Sequence, residues 1–110
     1  MATADDFFAF DMRVGTVLRT EPFPEAKKPA IKLWIDFGPE LGERQSSAQF
    51  TVHYTPESLI GRQIVAAVNL GARRVAGFRS EVLVLGAMPS PTEVVLLALD
   101  QHVENGTRIG

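Results

Sequence analysis

The stretch Thr55-Pro56-Glu57-Ser58-Leu59-Ile60-Gly61 (TPESLIG) interrupts a chain that otherwise reads as short strands. Threonine is a good N-cap because its hydroxyl accepts an N–H of the first turn. Proline suits the first helical position, where its missing N–H would have no partner anyway. Gly61 then stops the helix after about one turn. One short helix is expected here, and its neighbours decide the fold.

Upstream, the apolar period is two. Met12, Val14, Thr16 and Leu18 share one face of a first strand, with Arg13 and Arg19 on the other. The segment PFPEAKKPA holds three prolines and is expected to be a loop or an edge. Ile31, Leu33, Ile35 and Phe37 then alternate with Lys32, Trp34 and Asp36 in a half-buried second strand. Gly38-Pro39 to Gly42 reads as a turn, followed by a third strand with Ala48, Phe50 and Val52 on one side. Downstream of TPESLIG come the branched apolar runs IVAAV, VLVLGAM and VVLLAL, and Asn105-Gly106 marks a final turn.

Five or six short strands with one helix after the third are the elements of an OB fold. The expected class is all-β with short helices, a five-stranded Greek-key barrel. Residues 1–10 form an N-terminal helical extension in this reading, and 11–110 the barrel domain. Thr3 and Asp6 are placed to cap the extension, and Phe7, Phe8 and Phe10 to dock it. An ordinary barrel strand shows one face to water, so its sequence alternates. The last three runs do not. Exposing such side chains costs about 1.5–3 kcal/mol each; the Phe-rich N-terminal helix is one cover for part of that wall, and a second copy covers more, which predicts a homodimer.

Composition narrows the chemistry. A chain of 110 residues is one domain. It has no cysteine, hence no disulfide and no thiolate nucleophile. His53 and His102 stand far apart without ligand-spaced neighbours, so no metal site is expected. No phosphate-binding glycine loop and no nucleophile elbow is present, and no cofactor is expected. The apolar runs are too short to span a membrane. The start MATADDFF lacks the basic-then-apolar layout of a secretory signal, and the expected compartment is the cytoplasm. A binding protein is expected rather than an enzyme.

The formal net charge is -2, yet the positive residues cluster. Lys27, Lys28 and Lys32 lie in KKPAIK, and Arg73, Arg74 and Arg79 in GARRVAGFRSEV. Guanidinium groups grip phosphate oxygens in pairs and stack on base planes. Ser80 adds a neutral donor and acceptor. Phe78 reads as core or as a stacking ring. Trp34, an aromatic on the polar face of its strand, reads as a dimer contact or a ligand platform.

These residues also carry a resemblance. DMRVGTVL from Asp11 resembles the D-x-R-V-G entry strand of tRNA-binding OB domains. The later run VNLGARRVAGFRSEVLVLG is similar to that family's N-x-x-x-[KR]-x-x-G-x-x-S segment, with Asn69, Arg73 or Arg74, Gly77 and Ser80 at the matching places. EPFPEAKKPAIKLWIDFG, QSSAQFT, AGFRSEVLVLG and the closing NGTRIG resemble the CsaA-type export chaperones from end to end. The resemblance implies a dimeric OB fold, tRNA binding, and a holding role for unfolded chains or preproteins, with export machinery as a partner. In that reading the anion contacts are Arg73, Arg74, Arg79, Ser80, Asn69, Lys27, Lys28 and Lys32. The peptide contacts are Trp34, Phe78 and Met88. Many tRNA-binding relatives follow the serine with x-Gly-Met. Glu81, Val82 and Leu83 stand here instead, and an acid beside the arginines is expected to weaken anion binding.

Overall fold

The computed structural model describes residues 1–110. A short helix α1 (Ala4–Phe8) precedes the long strand β1 (Met12–Pro22). Strand β2 (Ile31–Asp36), a one-turn helix α2 (Gly38–Leu41), β3 (Glu43–Ala48), helix α3 (Pro56–Leu59) and β4 (Gln63–Ala67) follow. Then come a hairpin of β5 (Arg73–Val75) and β6 (Phe78–Ser80), the two-residue β7 (Leu83–Val84), and a hairpin of β8 (Gly86–Ser90) and β9 (Glu93–Leu96). The main sheet is antiparallel in the order β3-β2-β1-β4-β7, a nearly closed five-stranded barrel of the OB kind.

The core is the inner face of that barrel. Val17, Leu33, Ile35, Phe37, Phe50 and Ile64 pack together, with Leu59 of α3 closing one end. Helix α3 forms as TPESLIG predicts: Thr55 Oγ1 accepts from Ser58 N, the Ser58 side chain answers to Thr55 N, and Pro56 opens the helix. Gly15 lies against this core, where a Cβ would sit 2.6 Å from Ile35 Cγ2 and 2.8 Å from the Phe37 ring. Only glycine fits there without displacing them.

The D-x-R-V-G strand also explains its two charges. Arg13 donates through Nε to Asp11 Oδ1 at 2.7 Å and through a terminal nitrogen to the Gly106 carbonyl at 3.0 Å. Its guanidinium titrates above its ordinary range, chiefly because of the Asp11 hydrogen bond. Desolvation opposes this, and the charges of Asp11 and Glu40 reinforce it. The arginine thus ties β1 to the C-terminal segment, whose Gly106 and Thr107 also exchange backbone bonds with Val14.

Four sequence expectations change. The alternation in β1 breaks at a bulge between Val17 and Arg19, which buries Val17 and turns Leu18 outward. Gly38–Leu41 is a helical turn rather than a simple reversal. The third strand ends at Ala48; Phe50 is buried beyond it, and Val52 is exposed. The capping box of Thr3 and Asp6 forms, but Phe7, Phe8 and Phe10 do not dock; Phe8 is 51% exposed. The late apolar runs divide in the same way. All of β4 from Ile64 to Ala67 is buried, whereas Leu83, Met88, Val95 and Leu97 face outward.

Candidate ligand-binding surfaces

The register of the β5–β6 hairpin sorts the clustered arginines. Arg73 pairs with Ser80, Arg74 with Arg79, and Val75 with Phe78. Ala76 and Gly77 form the turn at φ 48° and 83°, the two-residue geometry that matches the twist of paired strands. Side chains alternate, so Arg74 and Arg79 share one face while Arg73, Val75, Phe78 and Ser80 share the other. The three arginines are therefore not one patch.

Arg74 and Arg79 are exposed and directly opposed across the hairpin. Like charges so placed repel. Arg74 donates to the Gly77 carbonyl at 3.2 Å, and Arg79 Nε stands 3.7 Å from Glu81 Oε2. Glu81 thus reaches Arg79 alone, Arg74 has no carboxylate partner, and both side chains stay exposed. Such a pair is chemically suited to an oxyanion with several acceptors.

Ser80 and Glu81 lie on the barrel seam. Ser80 is buried, and its Oγ accepts from Ser47 N at 3.1 Å. Ser46 Oγ donates to the Val82 carbonyl at 2.7 Å, and Gln45 Nε2 to the Arg79 carbonyl at 2.8 Å. Glu81 N donates to the Gln45 carbonyl at 2.8 Å, while Glu81 Oε1 accepts from Gln45 N at 3.1 Å. Side-chain bonds do here what strand pairing would do elsewhere. Glu81 is half-buried in this seam and turns its second oxygen to Arg79, a more specific role than general repulsion of anions.

The hairpin's Phe78 packs on the outer side of β2. Its ring lies edge-on to Trp34 at 5.8 Å and to Phe23 at 5.6 Å. The Lys32 ammonium sits 4.7 Å from the Phe23 centroid and 5.0 Å from that of Phe78. The Arg19 guanidinium covers the Trp34 ring at 3.8 Å, and Trp34 Nε1 donates to Gln45 Oε1 at 3.2 Å. Trp34 is 9% exposed, so its ring faces are already occupied. Arg19 and Phe23 were not among the expected site residues. Arg19 reaches Trp34 only past the β1 bulge, and Phe23 only because the proline-rich loop folds back on β2.

Of the other expected contacts, Lys27 and Lys28 are exposed in the β1–β2 loop. Asn69 bridges the N-terminal segment to the barrel: its Oδ1 accepts from Asp11 N at 2.8 Å, and its Nδ2 donates to the Ala9 carbonyl at 2.9 Å.

A second surface lies on the other side of the hairpin. A groove of about 690 Å³ runs between the end of β3, the approach to β5, and strands β7 and β8. Phe50, Leu70, Val82, Leu83 and Met88 form much of its wall, and Arg73 is at its side. Met88 is 62% exposed. Trp34 and Phe78 lie outside this groove, so the three expected peptide contacts occupy two places. No group of three or more His, Asp or Glu side chains is placed to hold a metal ion, and no helix is long and apolar enough to cross a membrane.

The profile described as "Putative tRNA binding domain" matches residues 12–108. The chain belongs to the tRNA-binding OB-domain family, in its CsaA-type branch. The chaperone CsaA of Bacillus anthracis shares 57% identity with it at a TM-score of 0.95, over 100% of this chain and 99% of that one. The CsaA chaperone of Picrophilus torridus shares 44% at a TM-score of 0.91, over the whole of both proteins. Methionine–tRNA ligase of Thermotoga maritima is 36% identical over 107 residues, which are 97% of this chain and 16% of the ligase. The chain spans only 14–16% of the length of such ligases.

Proposed function

We propose that this chain is a non-enzymatic, homodimeric holding chaperone of the cytoplasm that keeps unfolded or preprotein segments competent for export and also binds tRNA. The observation that carries the holding role is the open apolar groove beside β3. Its floor is the buried Phe50 and Val82, its rim is Leu70, Leu83 and Met88, which stay exposed in a lone protomer, and Met88 supplies a flexible, polarizable contact for varied clients. Kinship to the CsaA chaperones supports this reading. Met88 contacts the client; Trp34 and Phe78 act from beside the groove, by fixing the hairpin that forms one wall.

A second reading is favoured by the opposed Arg74–Arg79 pair. Those residues contact tRNA phosphates by shape and backbone, with Lys27 and Lys28 extending the contact from the neighbouring loop and Lys32 contributing charge beside the aromatic cluster. Ser80 and Asn69 support this site through the seam and the N-terminal bridge rather than by touching RNA. Both ligands are held by one dimer, on opposite sides of one hairpin.

Titration of tRNA and of an unfolded polypeptide across a salt series tests both parts. The tRNA affinity falls on a log–log plot by roughly 0.7–0.9 per phosphate neutralised. The double variant Arg74→Ala, Arg79→Ala flattens that slope by about two contacts. Polypeptide affinity varies far less with salt. A tRNA slope near zero removes tRNA from the proposal, and failure to bind the unfolded polypeptide removes the holding role.

A further inference from the structure

We propose that the groove selects client segments in which an apolar stretch carries a carboxylate, and that Arg73 reads that carboxylate. The inference rests on the holding role proposed above and names the chemistry that the groove prefers.

Arg73 differs from the other seven arginines. Arg13, Arg19 and Arg79 each have a carboxylate partner. Arg44, Arg62, Arg74 and Arg108 each donate to a backbone carbonyl. Arg73 makes neither kind of contact. It is also the single ionisable residue among the 18 that line the groove, of which 12 are hydrophobic. Five N–H donors with no protein acceptor therefore stand beside an apolar wall. A peptide laid over that wall removes water from around the exposed guanidinium, and attraction between charges is then screened less than in open water.

The backbone beside Arg73 points to an extended occupant. The side-chain seam that satisfies the outer edge of β3 covers Gln45 and Ser47 and then stops. The next residue on that edge, Gln49, lines the groove, and its N–H and C=O make no hydrogen bond within the protomer. An extended segment laid there continues the sheet pairing, and its alternate side chains enter the apolar wall. A polyanion such as tRNA is a poor fit, since one guanidinium cannot offset the burial of several phosphates. An acidic side chain, or the terminal carboxylate of a polypeptide, next to apolar residues satisfies both the wall and Arg73.

The test uses a short acetylated peptide of alternating valine and alanine in three forms: free α-carboxylate, α-carboxamide, and carboxamide with one internal glutamate. Fluorescence anisotropy against the full-length protein should show either carboxylate form binding about tenfold tighter than the neutral amide. That preference should shrink as salt rises. Arg73→Gln should abolish it, and Arg73→Lys should keep part of it. Thermal melts of both variants confirm that this exposed position leaves the fold intact. Equal, saturable binding of all three peptides overturns the role of Arg73 and leaves the holding role standing. Failure of every peptide to bind overturns both. If Met88→Glu changes the sedimenting mass and leaves peptide affinity untouched, a second copy of the protein fills the groove and the proposal falls.

Discussion

Arg13 is a charge that the fold cannot easily lose. Its side chain is 14% exposed, forks onto both oxygens of Asp11 and reaches the Gly106 carbonyl. Removing the guanidinium leaves those acceptors partly buried without a donor, a loss of about 2 kcal/mol. Arg13→Gln should lower the urea midpoint accordingly with the m-value unchanged. The folded-state titration of Arg13 is raised, so its contribution is complete at every pH below its unfolded value and fades only as pH rises through the strongly alkaline range. The destabilisation should therefore be the same at pH 6 and pH 9; a loss below about 0.5 kcal/mol would show an ornamental pair. The sequence shows Asp11, Arg13 and Gly15 as a motif by resemblance. What the motif does depends on Gly106, Ile35 and Phe37, brought close only by the fold.

At the scale of elements, local rules hold where a segment's own chemistry decides and fail where a partner does. The cap, proline and glycine of TPESLIG are self-contained, and α3 forms as read. The alternation of β2 is local for Ile31, Leu33 and Ile35, which are buried as expected, but Trp34 on the opposite face is buried as well, under Arg19 and Phe78. The β1 bulge at Leu18 is invisible in the period of β1, because it comes from the register against β2. The hairpin is a similar case: GARRVAGFRSEV shows its arginines, but only the pairing of Arg74 with Arg79 puts Arg73 on the opposite face. Phe78 clamps that hairpin to Trp34 and Phe23. Phe78→Ala should free it, and hydrogen exchange over residues 73–80 should accelerate at least tenfold while β1 and β2 remain protected. Uniform acceleration would instead make Phe78 part of the global core. Unchanged exchange would place the clamp in the Ser80–Glu81 seam alone.

The whole molecule leaves its later strands half covered, and the proposed homodimer is the physical answer to that. The buried strand β4 accounts for one of the three continuous apolar runs. The other two place Leu83, Met88, Val95 and Leu97 in solvent, and the aromatic residues of α1 do not reach them. Leu83 and Met88 belong to the groove; Val95 and Leu97 do not line it, and they are free to form a separate contact. In a two-fold dimer each such side chain is buried twice, but Val95 is 41% and Leu97 45% exposed beforehand, so the two residues contribute about 3–5 kcal/mol before the cost of association. Sedimentation at micromolar concentration should give about twice the 12.0 kDa protomer mass. Val95→Lys with Leu97→Lys should give monomers whose far-ultraviolet spectrum is unchanged, because neither residue belongs to the buried core. The same variant should bind the carboxylate peptide with native affinity if groove and dimer contact are separate surfaces. Loss of both together would make the groove a property of the dimer, and a monomeric parent protein would remove the need for a second copy altogether.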